Sequence, residues 1–277
     1  MLVGIDIGGS KIHVASSHLG KKIEREHIFP TPTNQRTVGP TLIKAVREVC
    51  GRSPIDAIGI SSPGPIDKRR GMVLTPSHIP WHNLRIVEPL RKAFGCPVAI
   101  ENDANCGGMA EAKYGAGKPF KVFVYITISS GIGTAIMVKG QPLPTPHNSE
   151  GGRMIIEPSL EAVEGRIGTF ESLCSGQAVV RRFGAIAAEI HDHDTASWEI
   201  IAHELALGFY NIITLVNPEA LVLAGGFSLN HKKFIRHVKQ NLHSMPLLYP
   251  PPKIVPAKHI LNAPVLGALL LSTELIT

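Results

Sequence analysis

The sequence predicts an α/β protein made of two matched halves of βββαβαβ type around a central cleft. Three observations carry that prediction. Hydrophobic strand-like runs alternate with stretches of helical period. Each half opens on the same device of strand, small-residue turn, strand and turn, an internal duplication of architecture. No low-complexity linker separates the halves, so the two lobes are expected to pack around a hinge.

Leu2–Ile7 is an apolar run of strand character that ends at Gly8-Gly9. Lys11–Ser16 returns, and Lys22–Phe29 follows the Gly20 turn, completing a three-stranded antiparallel meander. Thr41–Cys50 sets Leu42, Ala45, Val46 and Val49 at helical spacing and stops at Gly51. Ile55–Ser61 is a buried strand entering Pro63-Gly64-Pro65, Val87–Phe94 a short helix stopped by Gly95, and Val98–Glu101 a further strand. A helix is expected to start beside Asp103 and run to Tyr114. Val122–Ile128, the turn Ser129-Ser130-Gly131, and Gly133–Val138 with its turn at Lys139-Gly140 then repeat the opening device. Much of Ala178–Val216 is helical in period, with Leu205–Leu215 and Met109 read as core. Ala220–Leu223 runs into Gly225-Gly226, Lys232–His243 is amphipathic, Tyr249–Pro252 is loop or strand edge, and Pro264–Ser272 is a closing helix. The expected division is 1–114 with 264–277 in the first lobe and 115–263 in the second.

The chain has 277 residues, 44% hydrophobic and 18% charged, the composition of a globular protein with room for two domains. Its longest apolar run, Val122–Ile128, is too short to span a bilayer, and the N-terminus lacks a signal-peptide pattern. The expectation is therefore a cytoplasmic protein with no membrane partner. The net charge of +6 raises nucleic-acid binding, but the basic residues lie in short scattered groups such as Lys21-Lys22 and Lys68-Arg69-Arg70. Only 5% of residues are aromatic, which leaves few platforms for base stacking, so no nucleic-acid partner is expected. Cys50, Cys96, Cys106 and Cys174 show no paired spacing and read as buried thiols.

Four constellations carry chemistry. Asp6-Ile7-Gly8-Gly9-Ser10-Lys11 lets successive N–H groups approach a phosphate, with Asp6 placed to hold magnesium through water; a plain hairpin turn is the alternative. Thr127–Gly133 offers hydroxyls and glycines to a terminal phosphate, and Leu223-Ala224-Gly225-Gly226 leaves room for a nucleoside. Glu101-Asn102-Asp103-Ala104-Asn105 puts a carboxylate at a helix N-terminus, where the dipole keeps it ionised. Spacing alone leaves Asp103 open between helix cap and general base. His191-Asp192-His193-Asp194 is metal-like in composition but reads as a solvated helix-ending loop. His78 and His82 flank Trp81, read as a packed loop anchor.

The ordered set GIDIGGSK, SSPGPID, ENDAN, TISSGIG, CSGQAV and LAGGF resembles the ROK family of bacterial sugar kinases and repressors over nearly the whole chain. The resemblance implies a two-lobed actin-like ATPase fold of the hexokinase type, with ATP and sugar meeting between the lobes. It implies phosphates at Gly8, Gly9, Ser10 and Lys11 and at Thr127, Ser129, Ser130, Gly131 and Gly133, and the nucleoside near Gly176, Gly225 and Gly226. The sugar would meet Gly64, Asn102, Asp103, Glu150 and Glu171, with Asp103 as base. A homodimer is a further implication.

The departures are specific. Arg153 stands where the family commonly has a zinc-ligating, sugar-contacting His, and Ile155–Thr169 holds no cysteine, so no zinc site is expected. Arg153 then falls at the sugar site, and the hydroxyl pattern read there is expected to differ. Pro76-Ser77-His78 lacks the Asn that often follows the proline, and Ser129-Ser130 replaces Gly-Thr. The expected activity is ATP-dependent phosphorylation of a hexose or amino-hexose, glucokinase-like, with magnesium. The alternative is a non-catalytic sugar-binding or regulatory protein. A repressor is disfavoured because the chain opens on its first core strand, without a helix-turn-helix extension.

Overall fold

The computed structural model describes residues 1–20, 22–76, 79–158, 162–163, 166–186, 189–190, 194–226 and 231–277. In chain order the first part carries β1 (Leu2–Ile7), β2 (Lys11–Ser17), β3 (Arg25–Pro30), α1 (Gln35–Cys50) and β4 (Ala57–Ser62). A small sheet of β5 (Ile66–Asp67), β6 (Met72–Val73) and β7 (Leu84–Arg85) follows, then α2 (Val87–Phe94), β8 (Val98–Asn102) and α3 (Asp103–Tyr114). The second part carries β9 (Val122–Ile128), β10 (Ile132–Val138), β11 (Gln141–Pro142), β12 (Ala162–Val163), β13 (Arg166–Ile167), α4 (Phe170–Cys174), α5 (Gly176–Phe183) and α6 (Thr195–Val216). It ends with β14 (Ala220–Ala224), α7 (His231–Ser244), β15 (Lys253–Pro256) and α8 (Ala263–Glu274). Two compact units result: Met1–Ala110 with Pro144–Asn148 and Asn262–Thr277, and Glu111–Leu143 with Ser149–Leu261.

Each unit is built on a five-stranded sheet, and the two sheets share one topology. The first runs β3-β2-β1-β4-β8, the second β11-β10-β9-β14-β15. In both, three antiparallel strands are followed by two added in parallel. The duplicated halves expected from the sequence are therefore present.

In the first unit Val3, Ile5 and Ile7 of β1 and Ile58 and Ile60 of β4 are buried with Leu42, Val46 and Leu90 of α1 and α2. Each such side chain stabilises the fold by about 1.5–3 kcal/mol relative to exposure. The other face receives α8, and the helix comes close because β4 carries a glycine there. A Cβ on Gly59 would lie 2.0 Å from the Ala268 carbonyl oxygen. The helix α1 starts six residues before the expected Thr41, because the Asn34 side chain accepts the Arg36 N–H and caps it. Pro40 sits inside the helix and gives up one backbone bond without ending it.

In the second unit the sheet packs on α6, with Ile201, Leu205, Phe209, Ile212 and Ile213 buried against Val124, Ile126, Leu221 and Leu223. Among the described residues α6 is long and apolar enough to cross a membrane, yet this packing makes it a core helix. Leu215, expected in the core, is exposed on the last turn of that helix. The helical stretch expected over Ala178–Val216 is broken. Gly184 in the left-handed conformation ends α5, and the Asp194 carboxylate accepts the Ser197 N–H to start α6. Of the metal-like cluster, His191, Asp192 and His193 lie outside the described residues, as do Ser77 and His78; Asp194 starts a helix where a helix end was expected.

Candidate active site

Asp6, Asn102, Thr127 and Gly225 fall at or just past the carboxyl ends of the parallel strands β1, β8, β9 and β14, where open α/β sheets place their ligands. In the first unit the register sets Asp6 beside Ser61 and Ser62 beside Asn102, so β1, β4 and β8 deliver these residues to one edge. The Ser61 hydroxyl donates to Asp6 Oδ1 at 2.7 Å. Burial raises the Asp6 carboxyl above its ordinary range, opposed by that hydrogen bond and by His13 and Lys11. The following turn closes with the Gly8 N–H donating to the Lys11 carbonyl at 2.9 Å. Thr31 holds the same turn from outside, through its hydroxyl on the Gly8 carbonyl and its N–H on the Ser10 carbonyl. Gly9, Ser10 and Lys11 are exposed.

At the end of β8 the Asn102 side-chain oxygen accepts the N–H groups of Ala104 at 3.0 Å and Asn105 at 3.3 Å. The capping task at α3 therefore falls to the buried Asn102, and Asp103 is the first helical residue. Asp103 Oδ1 accepts the Ala104 N–H at 2.8 Å, which orients the carboxylate at the positive end of the helix. Glu101, not singled out as a site residue, underpins this segment. Its Oε1 accepts the Asn102 N–H and the Asn105 side-chain amide, and its Oε2 pairs with Lys68 Nζ at 2.6 Å. Gly64 lies two residues past the end of β4, after Pro63. Trp81 is fully buried and donates its indole N–H to the Pro32 carbonyl, so it anchors the small sheet's loop.

In the second unit the turn after β9 is the centre of a cluster. Ser129 donates its N–H to the Gly131 carbonyl, which closes the turn, and Thr127 and Gly133 face each other across its base. Gly176 N–H donates to the Ser129 carbonyl at 2.7 Å; a Cβ on Gly176 would sit 2.6 Å from that oxygen. Gly225, at φ +87°, packs on the Ile128 carbonyl, where a Cβ would come within 2.2 Å. Glu171 Oε2 accepts the Ile132 N–H at 2.8 Å. Gly152 packs against the Ile132 carbonyl, which fixes the single turn Gly151–Arg153 beside β10. Arg153 Nε lies 3.9 Å from Glu150 Oε2, both side chains about half exposed.

The structure thus brings Thr127, Ser129, Ser130, Gly131, Gly133, Gly176, Gly225, Gly226, Glu150, Arg153 and Glu171 onto one unit. It brings Asp6, Gly8, Gly9, Ser10, Lys11, Gly64, Asn102 and Asp103 onto the other. Among the described residues no three His, Cys, Asp or Glu side chains form a ready metal-ligand set. Zinc does not fit the residues at Glu150–Thr169: Arg153 cannot ligate a cation, the segment holds no cysteine, and Cys174 is buried and free. Its ends are closed by backbone instead, with Ile155 and Thr169 bridged and the Phe170 N–H donating to the Met154 carbonyl. The desolvated Asp6 carboxyl does fit a magnesium ion held through water, since a nearby cation offsets the cost of burying it.

Duplicated sheets with glycine turns at their carboxyl edges define a protein of the actin-like ATPase fold. The chain matches the model of the ROK family over residues 2–274, and it belongs to that family. It is 30% identical over 237 residues to a fructokinase of Zymomonas mobilis, covering 80% of this chain and 78% of that protein. The solved ROK hexokinase of Thermus thermophilus superposes with a TM-score of 0.83 at 27% identity, covering 99% of this chain and 98% of that one. A xylose repressor of Bacillus spizizenii is also similar, 26% identical over 96% of this chain and 75% of the repressor.

Proposed function

We propose that this chain transfers the γ-phosphoryl group of ATP to a hydroxyl of a hexose or amino-hexose, with Asp103 as general base. One observation carries the reading: Asn102 caps α3, so Asp103 is not required for that task and is oriented at the helix N-terminus by the Ala104 N–H. A carboxylate so placed can fix an acceptor hydroxyl and take its proton as the phosphoryl group transfers. The backbone N–H groups of Gly9 and Ser10 and of Ser130 and Gly131 at the two turn tips, with the Lys11 ammonium, would meet the charge on the phosphate oxygens. Gly176, Gly225 and Gly226 would leave space for the nucleoside. Gly64, Asn102, Glu150, Arg153 and Glu171 would contact the sugar. Asp6 would hold magnesium through water, and the ion, when bound, supplies charge neutralisation at the phosphates.

A cytoplasmic homodimer acting on small molecules, without a nucleic-acid or membrane partner, completes the reading. The similarity to a xylose repressor supports a second one, a sugar-binding regulator without turnover. A panel of glucose, mannose, fructose, allose, N-acetylglucosamine and N-acetylmannosamine with Mg-ATP separates them. Sugar-dependent ADP release with at least one member is expected of the kinase; sugar binding by calorimetry with no ADP release from any would favour the regulator.

A further inference from the structure

The Ser129–Gly131 turn is gripped at both ends by one short element. At its far end the Ile132 N–H is bound by the Glu171 carboxylate at 2.8 Å, and at its near end the Ser129 carbonyl is bound by the Gly176 N–H at 2.7 Å. Glu171 and Gly176 are five residues apart, on α4 and the first position of α5. The two helices are locked together. Ser175 ends α4 and caps α5 through its hydroxyl on the Ala178 N–H. Arg181 reaches back to the Ser172 carbonyl and Arg182 to the Leu173 carbonyl. Both oxygens of Glu204 on α6 hold the Arg182 guanidinium, at 2.6 and 2.7 Å, and Phe170 is wedged edge-on against Phe209. The element cannot shift at Glu171 without also shifting at Gly176.

We propose that Glu171 is a positioning residue for the phosphate turn, and that α4–α5 couples acceptor binding to nucleotide binding through it. The proposal rests on the kinase reading, in which Glu171 meets the sugar and the turn meets phosphate. A carboxylate that accepts from a backbone N–H makes a charge-assisted bond, about twice as strong as a neutral one. A sugar that orders this carboxylate orders the turn as well, and the reverse follows from linkage.

The test uses the full chain with Glu171→Ala and Glu171→Gln. Gln keeps an acceptor oxygen for the Ile132 N–H but loses the charge. The first readout is amide exchange of Ile132 by NMR in ligand-free protein. The second is the Kd of a non-hydrolysable ATP analogue measured without sugar. Glu171→Ala is expected to speed Ile132 exchange and weaken the analogue about tenfold, the loss of one such bond. Glu171→Gln is expected to restore both to within about threefold while leaving the acceptor KM raised. A residue that only touched sugar would leave both readouts at wild-type values in Glu171→Ala, and that result overturns the proposal. If the wild-type chain binds no nucleotide, the kinase reading fails and the coupling with it. The exchange readout still decides whether Glu171 anchors the turn.

Discussion

Replacing Gly176 by Ala separates folding from nucleotide binding. The new Cβ would lie 2.6 Å from the Ser129 carbonyl oxygen, and ordinary contact begins at 3.4 Å, so turn and helix must part by about 0.8 Å. The Gly176 N–H bond to that oxygen, now 2.7 Å, is then stretched or broken, at about 0.5–1.5 kcal/mol. Against this, Ala favours the helical conformation over Gly by up to about 1 kcal/mol. The two effects nearly cancel, so the melting temperature should move by no more than about 2–4 °C. The site does not enjoy that cancellation. If this turn meets the phosphates as proposed, a displacement approaching 1 Å there lowers kcat/KM for ATP by roughly ten- to a hundredfold. A coupled assay at saturating sugar, varying ATP, reads this beside a thermal melt. Unchanged ATP kinetics with an intact melt would refute the placement of the phosphate site at this turn.

Asp6→Asn keeps an acceptor for Ser61 and removes a carboxyl whose pKa burial has raised. A group with a raised folded-state pKa contributes its stability below its unfolded value, near 3.9, and loses it as pH rises through the folded value. Asp6→Asn should therefore melt higher than wild type near pH 8, with the advantage shrinking toward pH 4, while losing activity; thermal melts across that range decide it. Glu111→Ala removes a fully buried carboxylate that accepts the N–H groups of Ala116, Lys258 and His259, and urea titration should show a loss on the order of 3–5 kcal/mol. Purified protein should carry no stoichiometric zinc by elemental analysis, and a zinc-selective chelator should leave its melting temperature unchanged.

Most strands and helices are legible from their own residues: the mainly apolar strand Val122–Ile128, and the helix Val87–Phe94 with its stop at Gly95, have the bounds that the sequence predicts. Elsewhere a tertiary contact overrides the local signal. The apolar spacing marks only Thr41–Cys50 as helical, but the Asn34 cap and the burial of Val38 extend α1 back to Gln35. Adjacent Asn102 and Asp103 are equally able to cap, so only the structure shows that Asn102 does. The small sheet of β5, β6 and β7 is made of two-residue strands, too short to show a period. The hold of Glu171 on Ile132 joins residues 39 apart, and no local pattern records it. The pairing of Lys68 with Glu101 leaves no local trace either, since the two lie 33 residues apart and Lys68 reads as one of a short basic group.

Asp103 is the residue on which the proposed phosphoryl transfer depends most directly. Asp103→Asn keeps an oxygen for the Ala104 N–H and removes only the basicity. Sugar-dependent ADP release should fall by about 10²–10⁴-fold, the usual worth of a general base, while calorimetry finds sugar and nucleotide bound within a few-fold of wild type. Turnover at the wild-type rate in that variant would contradict the account.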